Sequence, residues 1–112
     1  MHDSVRDFVM PSEDDVRRAV ASMRLLADPT RIKILWALLQ CETSVACLAG
    51  VVGAAPAAVS QHLGKLRLAG LVESRRVGSY IYYTAESPRV RALLAEALNQ
   101  SQFIQQVAGR QS

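Results

Sequence analysis

At 112 residues, half of them hydrophobic, the chain has room for one globular domain with a modest core. Its net charge is only +3, and six of its ten acids, Asp3, Asp7, Glu13, Asp14, Asp15 and Asp28, lie in the first quarter, an end expected to face away from any polyanion. No apolar run approaches the roughly 18 residues of a membrane-spanning helix, and the start is too acidic for a signal peptide, so no membrane partner and a cytoplasmic location are expected.

Residues 1–11 show no sustained period and include Asp3, Asp7 and Pro11. This predicts a flexible tail before one domain spanning 12–107, with a second short tail over 108–112. Ser12 through Asp15 reads as a helix start, a hydroxyl cap followed by acids in the first turn. The helix then presents Val16, Val20 and Met23 at i, i+4 and i+7, with Ala19 beside them. Asp28-Pro29 marks a break and a new start, with Asp28 as cap and Pro29 at the first helical position. Ile32, Leu35, Trp36 and Leu39 form the core stripe of this second helix, which assigns Trp36 to packing rather than recognition.

From Val45 to Ala69 the helical period occurs twice. Val45, Leu48 and Val52 fall at i, i+3, i+7, and Val59, Leu63 and Leu66 at i, i+4, i+7, so each segment has one buried stripe. Gly53 supplies a sharp helix end, Pro56 suits a first turn, and the small Ala49 lets the second helix cross closely. The pair reads as helix-turn-helix. Its second helix leaves Ala57, Ser60, Gln61, Gly64 and Lys65 outward, a face without bulky apolar groups that fits a major groove.

LVESRRVGSYIYYTA follows, with β-prone Leu71-Val72 and Ile81-Tyr82-Tyr83 around a turn at Val77-Gly78-Ser79. Helix-turn-helix followed by a hairpin with Arg75 and Arg76 near its tip is a winged helix-turn-helix, a mainly α fold with a β-hairpin wing. Between Thr43 and Ala85 the basic residues are Lys65, Arg67, Arg75 and Arg76 against the single acid Glu73, a one-sign field suited to a polyanion. Ser87-Pro88 starts the last helix, predicted to run to about Gln106. Its apolar positions Val90, Leu93, Leu94, Ala97, Leu98, Phe103 and Ile104 wrap further than one core face needs. The surplus is expected to be buried against a second copy, with the first and last helices packing across a two-fold axis.

LADPTRIKILWALL, LAGVVGAAPAAVSQHLGKLRLAGLV and RRVGSYIYYTA resemble, in that order, the three successive blocks of the ArsR/SmtB family of bacterial winged-helix repressors. The resemblance covers about residues 23–100, and VSQHLGKLRLAGLV is its most diagnostic part. RLLADPTRIKILW and APAAVSQHLGKLR look most similar to the actinobacterial nickel- and cobalt-responsive members. The resemblance implies a homodimer on an imperfect palindrome in double-stranded promoter DNA, its affinity changed by a metal or another chemical signal.

The chain departs from that pattern in its ligands. Some members sense metal through a Cys-x-Cys pair before the recognition helix, and Ser44 and Ala46 stand at the matching places. Others use ligands of the last helix, and there stand Ser87, Arg89, Gln100 and Phe103, none a normal ligand of Ni²⁺ or Zn²⁺. The usual family metal sites are therefore absent. The terminal amine, His2 imidazole and Asp3 carboxylate remain as a candidate set for Ni²⁺ or another divalent metal, the alternative being a terminal His that binds nothing. Cys41 and Cys47 are candidates for redox sensing, against two ordinary buried or half-buried thiols. A partner protein that brings the signal is the third route.

No Ser/His/Asp set at useful spacing and no glycine-rich phosphate loop occurs in the sequence, so no enzyme is expected. The rival reading is a winged-helix protein-interaction module. The expected DNA contacts are Ser60 and Gln61 on base edges, with His62 either beside them or packed locally, and Lys65, Arg67, Arg75, Arg76, Ser79 and Tyr80 on the backbone and through the wing. Arg67 has the alternative of pairing internally with Glu73.

Overall fold

A computed structural model describes residues 8–111 of the chain, with side chains described through Asn99. Helix α1 (Glu13–Leu26) starts where the Ser12 hydroxyl accepts the Asp15 N–H at 3.1 Å. Helix α2 (Pro29–Gln40) starts at Asp28, whose carboxylate accepts the Arg31 N–H at 2.9 Å. A short strand β1 (Thr43–Ser44) leads into α3 (Val45–Val52) and α4 (Pro56–Leu68). The strands β2 (Glu73–Val77) and β3 (Tyr80–Thr84) form the hairpin, and α5 (Pro88–Gln111) closes the chain. The Ser87 hydroxyl accepts the Val90 N–H at 3.2 Å at the start of α5.

The core is built around α2, which packs against α3, α4, α5 and β3. Enclosed on several sides, α2 buries Ile34 and Leu38 as well as the expected Leu35 and Leu39, while Ile32 and Trp36 pack at the margin of the core. A single-face reading of the sequence misses Ile34 and Leu38, because a helix surrounded by others buries more than one stripe. Val59, Leu63 and Leu66 of α4 are fully buried. Val90 and Leu94 bring α5 into the same cluster. By contrast Val16, Val20 and Met23 of α1 and Leu93 and Leu98 of α5 stay exposed on the single chain.

Two features of the sheet differ from the sequence expectation. The first is β1, which pairs antiparallel with β3 through Thr43↔Tyr83 and Ser44↔Tyr82, giving a three-stranded sheet in the order β1-β3-β2. Two residues carry no pattern of their own, so a strand defined only by distant pairing is invisible locally. The second is the start of β2. Val72 is buried and Leu71 partly buried ahead of the strand, and the ladder itself is the exposed run Glu73–Val77. Its register is set from the turn, with Val77↔Tyr80 as the first pair. The positive φ of 63° at Gly78, with no positive φ at Ser79, is the pattern of a two-residue II′ turn, which takes glycine at its first central position.

Candidate nucleic-acid interface

Helix α3 ends at Gly53, whose φ of 71° and ψ of 38° lie in the left-handed region, where a residue without Cβ is favoured. The Ala54 N–H turns back to the Ala49 carbonyl at 3.2 Å, a Schellman-type stop. The chain re-enters a helix at Pro56 bent by 107° from α3, within the range of helix-turn-helix pairs. Burial of Val59, Leu63 and Leu66 fixes the rotation of α4 about its axis. Ser60, Gln61, Gly64, Lys65 and Arg67 are thereby left exposed. Gln61, Gly64, Lys65, Arg67 and Leu68 line a shallow open depression along that face. Leu68, 92% exposed, escaped the sequence reading, since its place outside the periodic stripe gives no signal beyond that exclusion.

His62 does not join this face. Its side chain is 23% exposed, and its Nδ1 accepts a hydrogen bond from Arg31 Nε at 3.1 Å. The same guanidinium donates to the Leu25 carbonyl at 3.1 Å, and His62 Nε2 lies 4.0 Å from the Asp28 carboxylate. The group grouped in sequence with Ser60 and Gln61 thus ties α4 to the α1–α2 corner. One step along a helix rotates a side chain by about 100°, enough to carry it from groove face to core edge. The Asp28 carboxyl is held below the ordinary aspartate range, first by the Arg31 N–H and also by the Arg31 charge.

On the wing, Arg76, Ser79 and Tyr80 are exposed, Tyr80 to 66%. Arg75 is engaged: its Nε and Nη2 donate to the two carboxylate oxygens of Glu42 at 2.6 and 2.5 Å. That pair holds the Glu42 carboxyl below and the Arg75 guanidinium above their usual ranges. Among the described residues Arg67 makes no ion pair with Glu73. The structure therefore brings Ser60, Gln61, Lys65 and Arg67 together on α4 and Arg76, Ser79 and Tyr80 on the wing, and takes His62 and Arg75 into internal contacts.

The residues at the metal positions implied by the resemblance do not fit a metal. The Ser44 hydroxyl caps α3 by accepting the Cys47 N–H at 3.4 Å, the Ser87 hydroxyl caps α5, and Arg89 adds a cation. Among the described residues no group of three or more His, Cys, Asp or Glu could hold a metal ion. His2 and Asp3 lie outside the described residues, as do the side chains of Gln100 and Phe103. Cys41 and Cys47 are free thiols, and both are exposed rather than buried or half-buried as expected, since they lie on the loop after α2 and the outer side of α3. Among the described residues no single helix is long and apolar enough to cross a membrane.

Residues 28–74 match the family described as bacterial regulatory protein, arsR family. The HTH-type transcriptional regulator KmtR of Mycobacterium tuberculosis is 46% identical over 86 residues, 77% of this chain and 66% of that protein. The nodulation protein NolR of Rhizobium meliloti is 35% identical over 94 residues, 84% of this chain and 77% of that one. Among solved structures, the homodimeric winged helix-turn-helix DNA-binding domain Mb0332 from Mycobacterium bovis superimposes with a TM-score of 0.68 at 28% identity, covering 85% of this chain and 91% of that one. The family match, the identity to NolR over 84% of the chain and the superposition on Mb0332 together show that the chain belongs to the arsR family of bacterial regulatory proteins and has its winged helix-turn-helix fold.

Proposed function

We propose that the protein is a cytoplasmic transcriptional repressor without enzyme activity that binds a palindromic promoter site as a homodimer. The observation that carries this reading is the rotation of α4: three fully buried residues, Val59, Leu63 and Leu66, aim Ser60, Gln61 and Lys65 away from the core. Ser60 and Gln61 read base edges from there, and Lys65 and Arg67 neutralise phosphates, with Arg76, Ser79 and Tyr80 on the adjacent backbone. The exposed Val16, Val20, Met23, Leu93 and Leu98 supply the dimer surface, a reading supported by the homodimeric state of Mb0332. Two-fold symmetry then sets the α4 helices in successive major grooves about 34 Å apart.

For the signal, the resemblance to nickel- and cobalt-responsive members supports a divalent metal, with His2 and Asp3 as its candidate ligands. Unchanged Ni²⁺ binding by calorimetry after removal of residues 1–10 eliminates that set. The function itself is tested by fluorescence anisotropy on the DNA upstream of the protein's own gene against scrambled DNA. Preference for the upstream duplex is expected, lost steeply with salt. Equal, salt-insensitive binding of both points to a protein-interaction module instead. Repeating the titration with Ni²⁺, chelator, mild oxidant and reductant separates a metal signal from one through Cys41 and Cys47.

A further inference from the structure

The neighbouring wing arginines leave the sheet on opposite faces. Arg76 pairs with Ile81, whereas Ser44, Tyr82 and Arg75 are consecutive partners across β1, β3 and β2, so those three side chains share one face. Glu42, two residues before Ser44, falls on the same face by the period of extended chain. The Arg75 guanidinium passes over the Tyr82 ring, 5.9 Å from its centroid, and ends on Glu42 with both carboxylate oxygens engaged. The pair sits at the edge of solvent, the Glu42 side chain 30% and that of Arg75 63% exposed.

We propose that Glu42 is an internal competitor for the wing: its carboxylate holds Arg75 in the bidentate manner of a DNA phosphate, and docking of the duplex exchanges one anion for the other. This rests on the DNA-binding reading above. A guanidinium fork donates to carboxylate and phosphate oxygens with the same geometry, so the exchange needs only a swing of an already exposed side chain. Loose electrostatic encounters leave Arg75 on Glu42 and gain no contact from it. A duplex seated on α4 brings its backbone to the wing and displaces the carboxylate. Glu42 thus lowers affinity for DNA in general and makes one phosphate contact conditional on close docking.

The test is Glu42→Gln, measured by anisotropy on upstream and scrambled DNA between 50 and 200 mM salt, alone and combined with Arg75→Ala. On scrambled DNA, where wild type leaves Arg75 on Glu42, freeing the guanidinium is expected to tighten binding, to steepen the slope of log K against log salt by about one, and to make the gain about threefold larger at the lower salt; on the upstream duplex, whose seated complex already holds Arg75, binding is expected to tighten with little change of slope. In the Arg75→Ala background the gain is expected to vanish. Three results overturn the inference: an unchanged slope on scrambled DNA in Glu42→Gln, weaker binding (which marks Glu42 as a brace for the wing), and a gain that persists without Arg75 (which marks a general charge effect). Failure of both wild type and variant to bind either DNA overturns the functional reading as well, whereas wild-type binding with an unaltered variant overturns only the role of Glu42.

Discussion

The Asp28 carboxylate accepts the Arg31 N–H at the start of α2 while Arg31 holds the Leu25 carbonyl and His62. The capping bond lowers the Asp28 pKa, so the unfolded chain takes up that proton more readily than the folded one. The stabilisation is full above the unfolded value of about 4 and is lost as pH falls through the lowered folded value. Asp28→Asn keeps a capping oxygen without the titration, and urea midpoints measured at stepped pH should fall less steeply on the acid side than in wild type. His62 Nδ1 accepts from Arg31 Nε, so Arg31→Ala is expected to release the His62 ring, visible as changed imidazole resonances. Such caps were legible in sequence because Ser or Asp stands beside the acids or proline of a first turn. The partners of Arg75 and His62 were not: they lie 33 and 31 residues away, and helical or strand period says which face a residue takes, not what it meets there.

The helices and the hairpin followed from local pattern wherever one face alone is buried, as in α4, whose three predicted core positions are the three that are buried. Prediction faltered at α2, enclosed by four elements, and at β1, which exists only through β3. The turn between α3 and α4 offers a clean test. An added Cβ at Gly53 meets nothing within 4 Å, but the φ of 71° remains, so Gly53→Ala should cost about 1 to 2 kcal/mol of stability through backbone strain alone. Leu63→Ala removes a fully buried side chain and should cost about 2 to 5 kcal/mol. Both are read from urea unfolding, and equal, negligible changes would contradict the placement of the helix pair.

Assembly is where the sequence argued from surplus rather than from pattern. Apolar residues with no room in one core, Val20 at 41% and Leu98 at 37% exposure among them, lie on the first and last helices. A charge there meets no penalty in a monomer and a large one in a dimer interface. Val20→Glu with Leu98→Glu is therefore expected to give a folded monomer by sedimentation, with affinity for the palindrome lost. A wild-type monomer at micromolar concentration would contradict the dimer.

Division of labour between α4 and the wing is decided by comparing Gln61→Ala with Arg76→Ala in anisotropy titrations on the upstream duplex, single-base variants of it, and scrambled DNA over a range of salt. Gln61→Ala should relax preference at one base position at a cost of about 1 to 3 kcal/mol and leave the salt slope intact. Arg76→Ala should weaken every DNA alike and flatten the slope by about one. Equal losses on specific and scrambled DNA for both variants would contradict the assignment of α4 as the base-reading helix.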